Sequence, residues 1–177
     1  MPMHCAACSS EPPARSVCPG GVIIRTLDAI RDIRDAALVV ARGFHSPMER
    51  ECLHFLLRGA PEVILRPAHG LESATLGTEE QRAFDDRRLI VASIFGCDVS
   101  APTPSSACRR TDFVASVSPA VLVPDGVCGG KAESPAWRAL RRGQLVVTLA
   151  DDENLHLVAD GAIPIDHAYL EHSSAPS

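Results

Sequence analysis

The sequence predicts one α/β domain organised around a mostly parallel sheet. Three observations carry that expectation. Short apolar runs, the mark of strands covered on both faces, recur along the chain. Segments of helical periodicity separate them. Aromatic residues are 4% of a chain that is 46% apolar, so Val, Leu, Ile and Ala must supply the core. Aliphatic strands packed between helices suit that supply.

Residues 1–21 are rich in Pro, Ser, Gly and Cys and are expected as a loose N-terminal segment. Across 22–35, Ile23, Leu27, Ile30 and Arg34 fall on one helical face, with Ile24 and Ile33 beside it. Residues 37–41 form the first strand run, stopped by Arg42 and Gly43. Ser46 then opens a helix: it caps, Pro47 fits the first helical position, and Glu49 completes a capping box. That helix is expected to reach Arg58 and stop at Gly59, with Met48, Cys52, Phe55 and Leu56 as its apolar face. The next strand covers 62–66 and ends at Pro67 and the turn His69-Gly70.

Thr78 to Gln81 reads as a second capping box, opening a helix to Arg88. Residues 89–95 are expected as a strand, 96–107 as a Pro/Ser-rich loop, and 108–117 as a short helix. A strand at 120–123 leads into a loop running from Pro124 to Lys131. Ser134-Pro135 starts a helix holding Trp137 and Leu140, which ends at Gly143. Residues 144–149 form the last clear strand, and Asp151 caps a final short helix reaching Ala159. The tail, 163–177, is expected to be loose. Strands alternating with helices across 22–162 mean βαβ units with right-handed crossovers, and so a Rossmann-like three-layer sandwich. Ligands of such sheets bind beyond the carboxyl ends of the strands. That selects the loops 42–46, 67–78, 96–108 and 124–134.

Composition narrows the function. A net charge of −5 argues against gripping a long duplex by phosphate neutralisation, yet leaves room for a local basic site. No apolar run approaches the roughly 18 residues of a membrane span. Residues 1–17 lack the apolar core of a secretory signal, so a cytoplasmic location is expected. Seven cysteines at scattered spacings disfavour a disulfide framework. Cys52, Cys97, Cys108 and Cys128 read as small buried or half-buried residues. Cys5 and Cys8, with His4 and Cys18 nearby, make one CxxC pair where structural zinc usually takes two. Neither a metal nor a cofactor is expected.

Within the selected loops, several turns suit phosphate. Arg42-Gly43-Phe44-His45-Ser46 leaves a strand and enters a helix, where free amides and Ser46 offer donors to an anion. The same residues also read as an ordinary capped turn. Gly129-Gly130-Lys131 follows a strand with two adjacent glycines and a cation, but it is not a Walker A loop: Asp125 and Ala132 stand where that motif needs Gly and Ser/Thr. Cys18-Pro19-Gly20-Gly21 precedes the first helix and is a phosphate-facing turn if a strand lies upstream. Arg109-Arg110 open the expected short helix against the dipole preference, which favours an anionic partner. Arg141-Arg142 sit at a helix C-terminus, where cations belong. His45, Glu49, Glu51, His69, Asp125 and Glu133 are scattered without catalytic spacing, and there is neither HExxH nor GxSxG.

Three runs, in order, carry a family resemblance. Residues 36–57, with GFHSP at 43–47, resemble the segment "SG.A.GID..AH..AL" of the DNA-processing protein A (DprA/Smf) family. Residues 63–71 resemble its next strand and "GLD" turn. Residues 109–123 resemble "RRNRIIAGLSDAVLVVE", with Thr111 and Asp112 in place of Asn and the second Arg. Cys18-Pro19-Gly20 lies near the family's "GSR" turn, and a shorter branch with "RCPG", "GFHSP" and "PGGK" turns is closer still. The likeness spans roughly residues 16–150. It implies a Rossmann-like fold, single-stranded DNA binding without catalysis, and a recombinase as partner, as in natural transformation; a homodimer is left open. By position, the implied contacts are Cys18, Gly20, Gly21, Arg42, Gly43, His45, Ser46, Arg109, Arg110, Gly129, Gly130 and Lys131.

Two other readings stand beside it. The acidic balance suits a domain binding a nucleotide or nucleotide-derived ligand. A phosphoribohydrolase acting on nucleoside monophosphates ranks last, because its PGGxGTxxE motif is met here by Cys128-Gly-Gly-Lys-Ala-Glu133, without Gly-Thr.

Overall fold

Apolar runs set between capped helices fold as their alternation dictates. The structure is a computed structural model and describes residues 20–126 and 133–165. Its elements run α1 (Gly20–Asp35), β1 (Val40–Arg42), α2 (Pro47–Leu57), β2 (Val63–Leu65), α3 (Thr78–Asp85) and β3 (Leu89–Val91). They continue with α4 (Pro104–Val117), β4 (Ala120–Val123), α5 (Glu133–Arg141), β5 (Leu145–Leu149), α6 (Leu155–Ala159) and β6 (Ile163–Ile165). Every strand pairing is parallel, in two three-stranded sheets ordered β1-β2-β3 and β4-β5-β6.

The winding explains the layers. From β1 the chain steps outward through α2 and α3 to β3. Helix α4 carries it back, packing against β1 and α5, and β4, β5 and β6 then step outward the other way. Right-handed crossovers place α2 and α3 on one face and α5 and α6 on the other, the layers of a Rossmann-like sandwich. The reversal falls between β1 and β4. Leu122 of β4 packs there against two buried clusters, one built on Leu56, Val63 and Leu89, the other on Val22, Ala29, Leu149 and Ile165. Helix α1 also spans both, contributing Ile30 to the first and Val22 and Ala29 to the second. Each large aliphatic side chain so buried stabilises the fold by roughly 1.5–3 kcal/mol.

Several expected boundaries shift, each for a local reason. Strand β1 has three residues, because α1 ends in a Schellman motif. Ala37 turns left-handed (φ 54°), its N–H donates to Arg34 O at 3.0 Å, and Leu38 N–H donates to Ile33 O at 3.1 Å. Leaving the helix uses residues 36–39, so Leu38 and Val39 are exposed. The capping box of α2 forms, but its buried face is Cys52, Leu53, Leu56 and Leu57, with Met48 and Phe55 at the margin. In α3 the cap lies one residue earlier than expected: Gly77 N–H donates to the Glu80 carboxylate at 2.8 Å, and the helix ends at Asp85. Strand β3 stops at Val91, because Ser93 Oγ donates to His69 O and accepts from Phe95 N–H, turning the chain.

Helix α4 starts at Pro104, four residues before the expected Cys108, capped by Thr103 and Ser106. Residues 163–165, expected to open a loose tail, form β6 beside β5. Pro164 concealed it, although an edge strand tolerates proline. Gly20 and Gly21, expected in the N-terminal segment, open α1 instead. Cys97 and Cys108 are exposed, contrary to expectation, while Cys52 is buried.

Candidate functional site

The first half-sheet brings charged residues together because its strands end in register. Arg42 is the last residue of β1, and Arg66 follows β2. Arg66 N–H donates to Arg42 O at 2.8 Å, carrying the ladder one step further. Arg42, in register with Leu65, turns to Glu49 of α2, and Arg66 turns to Phe113 of α4. Just past β1 lies Gly43, which is buried, and then Phe44, left-handed at φ 49°, which swings the chain into α2.

Gly43 leaves space that Arg110 of α4 fills. A Cβ on Gly43 would stand 1.6 Å from Arg110 Nη1, so only glycine admits this guanidinium. Arg110 is 8% exposed. Its hydrogen bond is a long 3.4 Å contact from Nη2 to the neutral Thr111 Oγ1, and among the described residues no carboxylate pairs with it. Burial lowers the pKa of this guanidinium, the field of Glu49 opposes that, and Arg42 adds to it. A buried, uncompensated cation is costly unless an anion joins it.

Glu49 organises the same turn. Its Oε1 accepts from Arg42 Nε at 2.8 Å, and its Oε2 accepts from the backbone N–H groups of His45 (2.7 Å) and Ser46 (3.2 Å). Ser46 Oγ in return accepts from Glu49 N–H at 3.2 Å. Desolvation pushes the Glu49 carboxyl up, but the charge and hydrogen bond of Arg42 and the two amides pull harder, leaving it below the usual glutamate value. The expected free amides at the start of α2 are therefore already taken by a carboxylate. The side chain of His45 is exposed and adds no contact to this arrangement.

Two cation–ring pairs extend the rim. The Arg66 guanidinium lies 5.0 Å from the ring centre of Phe113, one turn beyond Arg110 on α4. Its Nε is buried without a hydrogen-bond partner among the described residues. Arg109 stacks 5.3 Å over Phe95, which sits in the turn after β3. Asp112 is engaged elsewhere, by Arg138. Four guanidiniums thus gather near the carboxyl ends of β1, β2 and β3.

The remaining expected residues fall differently. Arg109 and Arg110 stand in the second turn of α4 and not at its start, so the dipole argument for them fails. Gly20 and Gly21 form the exposed first turn of α1, with open space at their Cβ positions. One turn along, Arg25 Nη1 donates to Ala150 O at 3.0 Å and pairs with Asp151, tying α1 to the loop after β5. Cys18, Gly129, Gly130 and Lys131 lie outside the described residues. The approach to the 129–131 turn is firmly held. Gly126 N–H donates to Asn154 Oδ1 at 2.8 Å, and the buried Asn154 donates from Nδ2 to Pro124 O and Leu149 O, each at 3.0 Å. Sequence reasoning missed Arg66, although its place between β2 and Pro67 marks a carboxyl end, and it missed Glu49 as the filler of the turn.

Among the described residues, no group of three or more His, Cys, Asp or Glu is placed to hold a metal ion. No described helix is long and apolar enough to cross a membrane.

No protein-family model and no curated protein matches the sequence. Solved structures do resemble it. DNA processing protein A (DprA) of Streptococcus pneumoniae superposes with a TM-score of 0.71 at 16% identity, over 91% of this chain and 59% of that one. DNA processing protein A of Helicobacter pylori, whose structure is described as giving insight into a unique single-stranded DNA binding mode, superposes with a TM-score of 0.69 at 16% identity, over 89% of this chain and 75% of that one. The chain therefore has the DprA-like, Rossmann-like fold, and it spans about three-fifths of the length of the pneumococcal protein.

Proposed function

We propose that this domain binds single-stranded nucleic acid by its phosphates at the arginine rim, in DNA processing of the DprA kind. One observation carries the reading: Arg110 is buried against Gly43 and, among the described residues, forms no ion pair, while the Glu49 whose field reaches it is held by Arg42. A phosphate supplies the missing charge. Phe95 and Phe113 add ring faces at the same rim, of the kind on which bases stack. The DNA binding described for the Helicobacter pylori protein of the same fold supports this reading. A recombinase partner and a role in transformation belong to the same proposal, as does a cytoplasmic location. The proposed contacts are Arg42, Gly43, Arg66, Arg109 and Arg110.

A salt titration of single-stranded DNA binding tests it. Four arginines contacting phosphates give a slope of log affinity against log salt of about −3, at roughly 0.7 per contact on single strands. Replacing Arg109 and Arg110 together by Ala should lower affinity and flatten that slope by about half. Salt-independent binding, or none at low salt, overturns the proposal. A second reading, a free nucleotide as ligand, draws on the acidic balance of the chain and the small extent of the basic cluster. It is supported if a nucleotide raises the melting temperature while single strands do not bind.

A further inference from the structure

We propose that the rim selects a terminal phosphate, the doubly charged phosphomonoester at a strand end or on a mononucleotide, over the singly charged diesters within a strand. This rests on the reading of the rim as a phosphate site and names the phosphate it takes.

The charge balance points that way. At the Gly43 turn stand two guanidiniums, Arg42 and Arg110, and one carboxylate, Glu49; on the next strand Arg66 lies over Phe113, one turn along α4 from Arg110. Arg42 and Glu49 neutralise each other at 2.8 Å. Arg66 and Arg110 are left, neither with an acid partner among the described residues, one buried and the other with a buried, unpartnered Nε. Arg66 and Arg110 together therefore leave close to two positive charges unbalanced.

An internal diester carries one. It could displace Glu49 from the amides of His45 and Ser46, exchanging one unit of charge for another with no gain. It could instead bind beside Glu49 and leave a guanidinium uncompensated in partial burial. A phosphomonoester carries roughly −1.5 to −2 at neutral pH and offers three acceptor oxygens. It can engage both arginines while Glu49 keeps its place. Guanidiniums also suit this task geometrically, since their forked donors bind phosphate oxygens two at a time.

Glu49 thereby acts as a filter. It occupies the helix N-terminus that a diester would otherwise use. Removing its charge should open that position to internal phosphates and erase the preference.

The test compares one short thymidine oligonucleotide, labelled at its 3′ end, with a 5′-phosphate or a 5′-hydroxyl, by fluorescence anisotropy with the full chain. The phosphorylated strand should bind about tenfold tighter or better. The advantage should shrink as pH falls through about 6, where the monoester gains a proton. Glu49→Gln should narrow the gap by strengthening the hydroxyl-ended strand, and Arg110→Lys should narrow it by weakening the phosphorylated one. Thymidine 5′-monophosphate, added as competitor, identifies the source. Displacement at concentrations near the affinity of the phosphorylated strand assigns the site to a free nucleotide, and much weaker displacement assigns it to a strand end; both uphold the preference. Equal binding of the two strands by the unaltered protein overturns this inference and leaves the rim reading standing. Failure of both strands to bind at low salt, with no competition, overturns both.

Discussion

The two halves of the sheet end their helices differently. In the β1–β3 half, α1 exits through Ala37 at φ 54° and α3 through Arg87 at φ 59°, while the turn after β1 holds Phe44 at φ 49°. In the β4–β6 half, the same kind of exit uses Gly143 at φ 70° and Gly161 at φ 108°. The hydrogen bonds match: Leu38 to Ile33, Arg88 to Ala83, Gln144 to Ala139 and Ala162 to Leu157 each close a Schellman motif. Polar balance differs too. The second half leaves Trp137 Nε1 buried without a hydrogen-bond partner among the described residues, but it ties its buried Asn154 to three backbone partners, and Thr148 Oγ1 donates to Val123 O at 2.7 Å. Among the described residues, Arg66 and Arg110 of the first half form no ion pair. Strained backbone and unmatched charge thus share one half, the pattern expected where stability has been traded for a binding site.

The largest effect is expected at Asn154. Asn154→Ala removes three hydrogen bonds and strands buried backbone groups, so it should lower unfolding free energy by about 3 kcal/mol, given 1–3 kcal/mol for each buried group left unsatisfied. A shifted urea midpoint measures this. Affinity for single-stranded DNA, taken where the variant is fully folded, should change little. An affinity loss as large as that of Arg110→Ala would show that the halves do not divide the labour.

Glu49 gives the next effect, about 2 kcal/mol, as expected for hydrogen bonds to a charged acceptor. Its folded pKa lies below the ordinary value, so the stability it contributes is fully present above that ordinary value and is lost as pH falls through the lower, folded one. Glu49→Gln should weaken the fold at neutral pH and flatten the acid limb of the stability curve. An unchanged acid limb would mean that the Arg42 pair contributes nothing.

Gly43→Ala should act on binding. The backbone at Gly43 suits any residue, but the new methyl collides with the Arg110 guanidinium. Displaced from its seat, Arg110 should bind phosphate about tenfold more weakly, roughly 1.4 kcal/mol. Full affinity in this variant would remove Arg110 from the site.

How much of this was legible follows from what each signal encodes. Periodicity and capping boxes are local, so α1, α2, the alternation and the parallel sheet could be read from residues such as Ser46, Pro47 and Glu49. The pairing of Arg110 with Gly43 joins residues far apart in sequence, and only their separate motifs could be flagged. Arg66 carried no motif and was missed. The occupation of the 43–46 turn by Glu49 was hidden because one residue served two patterns: as part of a capping box it read as structure, and as an anion at a helix start it fills the place of a ligand. Strand β6 was lost to Pro164, and the early start of α4 to a Pro/Ser run that reads as loop until Thr103 and Ser106 are seen to cap it.

The smallest expected effect lies in the left-handed helix exits. If the left-handed exits of the first half are strained and those of the second relaxed, exchanging their residues should move stability in opposite directions. Ala37→Gly should raise unfolding free energy by about 1 kcal/mol, since a left-handed L-residue costs roughly 1–2 kcal/mol and glycine nothing, less the extra unfolded-chain entropy that glycine brings. Gly143→Ala should lower it by a similar amount; nothing lies within 4 Å of its Cβ position, so the loss would be conformational and not steric. Both residues sit away from the arginine rim, and neither change should alter phosphate binding. Equal and opposite shifts in the denaturation midpoint would locate the strain in the backbone of the functional half. If Ala37→Gly were neutral while Gly143→Ala was costly, the first half would have to be absorbing its left-handed residue through contacts of Ala37, and strain would no longer distinguish the two halves.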